Sequence, residues 1–401
     1  MSLRLISRSP DLQRVRDEGF DLEVRNGVHL LVKKVPYVTA QREVRLGTLV
    51  FLLNQLDDVA QRPSDHRAFF AGEMPCHADG SPMTEIILGP EQQQIDPSLI
   101  TNFTFSQKPA RGYYQDCYEQ LTTYIQMLES QAQAIEPSAT ARTRPVVELH
   151  PDESVFCYPD SASSRAGITY ATQKLAMDRV AIVGLGGTGS YILDLLAKTP
   201  VKEIHLFDGD VFSPHNAFRA PGAASLGDLK AKPNKVDHFA AVYSQMRHSV
   251  IPHAEYINEE NVSQLNAMNF VFVCVDKGGP KKIIANALEQ YGVPFIDVGM
   301  GIYQKDNALD GIVRVTTSTA SKRNHVHDGH RIPFSDRDGD DEYDSNIQIA
   351  DLNALNAALA VVKWKKICGF YWDFDHEHFS TYTIDGNHMI NEDKGDEAGL
   401  V

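Results

Sequence analysis

The chain has 401 residues, 42% of them hydrophobic and 9% aromatic, enough for two domains with sizeable cores. Its formal charge of −15 excludes nucleic acid as the main partner, because phosphate backbones call for a net basic surface, and it leaves open a nucleotide held by a local cluster of donors. No apolar run reaches the roughly 20 residues that span a bilayer, the start has no secretory apolar core, and Cys76, Cys117, Cys157, Cys274 and Cys368 form no CxxC pair, so free thiols in the cytoplasm are expected.

Along the chain, FDLEVRNGVHLLVKKV gives two strand-like runs around Asn26-Gly27, the dipeptide of a type I′ hairpin turn. Tyr114, Tyr118, Leu121, Ile125, Leu128 and Ala132 then recur at spacings of four and three, which predicts one face of a helix. Pro, Ser, Thr and charge mix over EPSATARTRPVVELHPDES, which reads as a linker. The expected organisation is an N-terminal α+β domain over 1–135, a linker over 136–160, a second domain over 161–390 and an acidic tail over 391–401.

From about Arg179 apolar strands alternate with helices: VAIVG, EIHLFDGD, FVFVCVD and VPFIDVG are the strands, SYILDLLAKT and IIANALEQY the helices. Strands apolar on both faces predict a mostly parallel, doubly wound α/β sheet of Rossmann type. Between it and the apolar helix NIQIADLNALNAALAVVKWKKI lies SKRNHVHDGHRIPFSDRDGDDEYD, an aperiodic charged stretch expected to form a loop.

Gly184, Gly186, Gly187 and Gly189 sit between the first strand and its helix, where they allow a tight turn and bring backbone N–H groups to phosphate. Asp208 ends the next strand, in place for ribose hydroxyls. This much fits an NAD(P)-dependent oxidoreductase equally well. Asn216 and Arg219 follow, three apart, and then Lys235; a guanidinium and an ammonium just beyond the ribose acid suit a triphosphate better than a dinucleotide. Asp276, after the FVFVCV strand, should lie at the ligand-binding sheet edge, where a carboxylate can hold Mg²⁺ against phosphate oxygens.

This order of GxGGxG, Asp, NxxR, Lys and strand-Asp over about residues 165–372 resembles the ThiF/MoeB and ubiquitin-activating superfamily. The resemblance implies that the four glycines line ATP, Asp208 binds ribose, Asn216, Arg219 and Lys235 contact phosphates, and Asp276 binds magnesium. By the same resemblance the reaction is adenylation of the C-terminal carboxylate of a ubiquitin-like protein. Arg165 is similar to an arginine that relatives send across a homodimer interface. With the N-terminal third included, the chain resembles ThiF-type proteins of bacterial ubiquitin-like conjugation operons, which implies a ubiquitin-conjugating-enzyme-like partner as well. A scaffold that only binds a ubiquitin-like protein is the non-enzymatic alternative.

Departures from the family carry expectations of their own. The zinc-binding CxxC pairs of many members are missing, so no structural zinc of that kind is expected. No cysteine lies between Cys274 and Cys368, where relatives carry a thioester-forming one. The acyl group then passes directly to a partner, or a hydroxyl of Thr317, Ser318, Thr319 or Ser321 accepts it with help from a neighbouring base. Polar groups at a strand end are the plainer reading of that run. His325, His327, His330, His376 and His378, with Asp336, Asp338, Asp340 and Asp341, read as solvated loop chemistry rather than a metal site. His66, Cys76 and His77 likewise lack zinc spacing.

Overall fold

Asn26 and Gly27 both take positive φ, 52° and 69°, and the Val28 N–H donates to the Arg25 carbonyl at 3.2 Å, as a type I′ turn requires. Strand pairing resumes at Arg25↔His29, so the connection is one residue longer than a two-residue hairpin. The computed structural model describes residues 2–335 and 347–395; Asp336, Asp338, Asp340, Asp341 and residues 396–401 of the expected tail lie outside the described residues. The chain divides into two units, residues 1–154 with 158–168, and residues 155–157 with 169–401.

The first unit holds α1 (Ser2–Arg8), α2 (Pro10–Asp17), β1 (Asp21–Arg25), β2 (His29–Val38), β3 (Val44–Leu52), β4 (Gln55–Leu56), β5 (Val59–Ala60), β6 (Arg67–Ala71), β7 (Ile87–Asp96), β8 (Leu99–Ser106), α3 (Cys117–Gln133) and α4 (Ser161–Arg165). Six strands form an antiparallel sheet in the order β1-β2-β3-β6-β8-β7, with β4 and β5 a separate ribbon. Side chains alternate across it, as the pleat dictates. Leu49, Phe51, Ala68 and Phe70 join the core that receives Leu121, Tyr124, Ile125 and Leu128 of α3, while Val50 and Phe69 join Leu31 and Ile95 on the opposite face. The Asp116 carboxylate caps α3 by accepting the Glu119 N–H at 2.8 Å, a contact worth about 1 kcal/mol. Cys76 and Cys117 are buried, and burial pushes both thiols up.

The second unit runs α5 (Thr169–Gln173), β9 (Arg179–Val183), α6 (Gly187–Ala197), β10 (Glu203–Phe207), α7 (Pro214–Ala217), α8 (Leu226–Ala231), α9 (Lys235–Tyr243), β11 (Val250–His253), β12 (Phe270–Val273), α10 (Gly278–Tyr291), β13 (Phe295–Lys305), β14 (Ala308–Ser318), α11 (Ala350–Ile367), β15 (Glu377–Thr383) and β16 (His388–Lys394). Its sheet has the order β11-β10-β9-β12-β13-β14-β15-β16. The first five strands are parallel and the last three antiparallel. The apolar runs have a direct cause: Val180 and Ile182 of β9 enter the core shared with α6, α9 and α11, and Ala181 and Val183 enter the core under α10. Burial on both faces is what a doubly wound sheet needs. β16 continues to Lys394, so residues 391–394, expected in an acidic tail, are strand. No helix among the described residues is long and apolar enough to cross a membrane.

Candidate nucleotide-binding site

The carboxyl ends of β9, β10 and β12 converge on the glycine segment. Gly184 leaves β9 with φ +92°, and a Cβ there would stand 2.7 Å from the Cys274 carbonyl oxygen. A Cβ on Gly189 would meet the Gly184 carbonyl oxygen at 2.0 Å, so the first turn of α6 folds back on the loop only without side chains. Gly186 is the N-cap of α6 and Gly187 its first residue. Thr188 Oγ1 donates to Asn353 Oδ1 of α11 at 2.8 Å, and a Cβ on Gly187 would collide with that asparagine.

Asp208, nearly fully buried, organises this turn. Its Oδ2 accepts the Leu185 N–H at 2.7 Å and Lys235 Nζ at 3.4 Å, and its Oδ1 accepts the Asp210 N–H at 2.8 Å. Three donors occupy a carboxylate with about four acceptor directions, which leaves room for about one ribose hydroxyl. Lys235 is buried at the start of α9 and also reaches Asp210 Oδ2 at 2.5 Å. Burial pushes the Asp210 carboxyl up, and hydrogen bonds from Lys235 and the Tyr256 hydroxyl outweigh it, leaving the group below its usual range.

On α7, Asn216 Oδ1 accepts the Ser213 N–H at 2.9 Å. Its Nδ2, and Nε of half-buried Arg219, are buried without a hydrogen-bond partner. Asp276 is exposed, three residues past the end of β12. Among the described residues no group of three or more His, Cys, Asp or Glu is placed to hold a metal ion. Mg²⁺ bound through one carboxylate plus phosphate oxygens does not need such a group, so Asp276 fits that chemistry.

Deeper in the sheet, Asp297 of β13 is fully buried between Lys281 Nζ at 2.9 Å and Arg314 Nη2 at 2.6 Å. Asn356 of α11 donates to the Gly299 carbonyl at 3.0 Å. Sequence reasoning missed this group, along with Asp210, Tyr256 and Asn353. The available signals were an acid inside the apolar run PFIDVG and two asparagines three apart on the apolar face of α11.

Other expected residues lie elsewhere. Thr317 and Ser318 are buried inside β14, with Ser318 level with Phe295 at the start of β13. Thr317 and Ser318 are level with Ile182 and Ala181 of β9 but three strands away across the sheet, and β14 runs on towards the amino edge with Thr319 and Ser321, so the structure does not bring the suggested acyl acceptors to the glycine loop. Thr319 does have a basic neighbour there: its Oγ1 lies 2.9 Å from His378 Nε2 and 2.9 Å from Ser321 Oγ. His378 Nδ1 faces the His376 carbonyl at 3.0 Å, so Nδ1 carries the proton and Nε2 accepts from the hydroxyl. Burial holds the His378 imidazole down at about 4. Arg165 is exposed on α4 in the first unit. His325 and His378, expected in solvated polar sequence, are both buried: His378 belongs to β15, and its ring packs beside that of His325.

A glycine turn at a helix N-terminus, an acid ending the neighbouring strand and cations beyond it are the arrangement with which α/β domains can hold a nucleotide. Residues 162–379, more than half of the chain, match the ThiF family, and the chain belongs to that family. Residues 10–161 match a domain of unknown function, DUF6791. The chain is 23% identical over 211 residues to ubiquitin-like modifier-activating enzyme 5 of Xenopus laevis, covering 49% of this chain and 52% of the relative. It is 29% identical over 119 residues to the Aedes aegypti protein of that name, covering 28% and 30% respectively. The chain thus spans about half or less of the length of these relatives. Among solved structures, E. coli MccB with ATP is 18% identical with a TM-score of 0.45, covering 58% of this chain and 71% of that one. PaaA is 16% identical with a TM-score of 0.42, covering 56% and 75%.

Proposed function

We propose that this chain uses ATP and Mg²⁺ to adenylate the C-terminal carboxylate of a ubiquitin-like protein, the first step of its conjugation. The observation that carries the reading is the pair of buried, unpartnered donors, Asn216 Nδ2 and Arg219 Nε, on the segment that runs from the acid ending β10 to the lysine opening α9. A buried donor without a partner costs about 1–3 kcal/mol, a cost offset where a ligand supplies the acceptor. Phosphate oxygens are such acceptors. Membership of the ThiF family supports adenylation over hydride transfer.

In this reading the carboxylate attacks the α-phosphorus and the bond to pyrophosphate breaks. The α6 N-terminus and the loop amides hold the phosphates, and Asp208 accepts from the sugar. Arg219 and Lys235 offset the charge that builds on the departing pyrophosphate. Asp276 would hold magnesium, which when bound supplies Lewis-acid charge neutralisation. With a net charge of −15, docking of an acidic carrier calls for a local basic or apolar patch. A second copy of the chain and a ubiquitin-conjugating-enzyme-like protein are the further partners of this reading.

The test is ATP–pyrophosphate exchange by the full chain with a panel of ubiquitin-like proteins, with and without Mg²⁺. Carrier-dependent exchange that disappears in Asp276→Ala, with an unchanged melting temperature, is the expected result. Normal exchange by that variant would overturn the magnesium assignment. NAD(H) binding without exchange across the panel would replace adenylation with oxidoreduction, and binding of neither nucleotide would leave a scaffold.

A further inference from the structure

The nucleotide edge contains an exposed aromatic ring that the adenylation chemistry leaves without a role. Tyr256 lies three residues past β11, the strand beside β10 at the end of the parallel set. It is 61% exposed, yet it is tethered. Its hydroxyl donates to the Asp210 carboxylate, and its ring lies over Gly209, where a Cβ would stand 2.6 Å from the ring. Its carbonyl accepts the Asn261 side chain at 3.0 Å, and the same side chain bonds Glu255 at 2.9 Å. Burial of Ile257 pins the next residue. A free surface tyrosine would swing; this one is fixed at hydroxyl, ring edge and backbone, with a ring face open to solvent.

The order of the strands gives that face an occupant. Phosphates belong at the α6 N-terminus after β9, and the sugar at Asp208 after β10. A nucleotide continuing along the sheet edge in the same direction brings its base beside the end of β11. We infer that Tyr256 is the platform on which the nucleobase stacks, and that it sets a preference for a purine over a pyrimidine nucleotide. The larger purine ring covers more of the tyrosine face, and base–aromatic stacking tolerates any base while rewarding overlap. The hydroxyl joins this platform to the phosphate end: Tyr256 bonds Asp210, Asp210 bonds Lys235, and Lys235 reaches Asp208. The assignment rests on the nucleotide reading proposed above and extends it to the base.

The experiment is equilibrium binding of ATP, CTP and inorganic tripolyphosphate, each with Mg²⁺, to the full chain and to Tyr256→Leu and Tyr256→Phe. Wild type should prefer ATP to CTP. Tyr256→Leu should lose roughly 5- to 100-fold in ATP affinity relative to Tyr256→Phe, which lacks the same hydroxyl, with the ATP/CTP ratio falling towards one and tripolyphosphate binding equal in the two variants, which also shows that Tyr256→Leu is folded. Tyr256→Phe should keep the ratio, because it keeps the ring. An unchanged ratio in Tyr256→Leu, or equal loss of the ratio in Tyr256→Phe, overturns the platform. A wild type that binds tripolyphosphate but does not distinguish ATP from CTP overturns the platform alone. Binding of none of the three overturns the nucleotide reading itself and this inference with it.

Discussion

The two edges of the second unit's sheet treat buried polar groups in opposite ways. At the amino edge the groups are mostly satisfied from within the protein. Ser318 Oγ donates to Glu289 at 3.3 Å, Thr319 shares its hydroxyl with His378, and the fully buried Arg247 spends its guanidinium on the carbonyls of Ala197, Thr199, Val201 and Lys202. His325, whose ring nitrogens make no hydrogen bond, Trp364 Nε1 and Glu377 Oε2 are the exceptions among the described residues; Glu377 Oε2 faces Lys363 Nζ at 3.5 Å, and burial pushes the His325 imidazole below its ordinary range. Past the carboxyl end of β10, Lys235 pairs with Asp208 and Asp210 while Asn216 Nδ2 and Arg219 Nε make no hydrogen bond. Both edges hold unpaired groups, but only at the carboxyl edge are they donors on the segment between Asp208 and Lys235, which is the difference between polar residues used for packing and polar residues turned towards a ligand.

Substitutions at the two edges should therefore differ in kind. The largest effect is expected for Lys235→Met, which leaves Asp208 and Asp210 without their shared cation. It should cost about 3–5 kcal/mol in urea unfolding, because an uncompensated buried charge remains, and remove pyrophosphate exchange altogether. Stability equal to wild type would mean that the pair is not a structural partner for the lysine.

Arg219→Met separates function from stability. Exchange should fall about 10²- to 10³-fold, the usual effect of deleting one charge-stabilising donor. The unfolding midpoint should hold or rise, since a buried unpartnered Nε disappears with the side chain. Full exchange activity in this variant would remove the main contrast between the edges.

The amino edge should respond to pH instead. His378 titrates at about 4 when folded, against an ordinary value of 6.5. The unfolded chain therefore binds the extra proton first as pH falls. The stability linked to this group is complete above pH 6.5 and drains away towards pH 4, by about 2–3 kcal/mol. His378→Gln should flatten that limb of a stability–pH curve. A parallel curve displaced by a constant would place the titration elsewhere.

The smallest effects belong to Thr319→Val and Ser321→Ala. The first should cost about 1 kcal/mol, because His378 Nε2 loses its donor, and the second less. Neither should change exchange by more than about twofold, and no carrier should be found esterified to either residue by intact-protein mass spectrometry. An oxyester on Ser321 would reverse the structural reading of this edge.

Much of the fold was legible in the sequence because it depends on local pattern. VAIVG and FVFVCV are apolar on both faces, and the parallel sheet buries both. The Asn26-Gly27 pair demanded positive φ and took it. The antiparallel extension was harder to see: β15 and β16 carry mixed polar residues, with β16 almost wholly exposed, so no clean alternation marks them. In the site, the glycines, Asp208 and Lys235 stand out because helix-terminus chemistry needs fixed spacing. Tyr256, Asn353 and Asp297 do not, since their roles arise from contacts between segments far apart in sequence. The Thr317–Ser321 run illustrates the same limit: its chemistry was visible, and the sheet edge on which it falls was not.

The contact between α6 and α11 also bears on when the site comes into being. The glycine turn opens α6, and α6 packs against α11 through Thr188 and Asn353, 165 residues apart. Such a long loop must close before the contact forms, which delays it relative to local structure. On the ribosome, where domains fold as they emerge, the glycine turn is made early and waits for a helix synthesised near the end of the described chain. A nascent chain that lacks α11 therefore holds the glycine turn only loosely, and the turn reaches its final packing after α11 has been made.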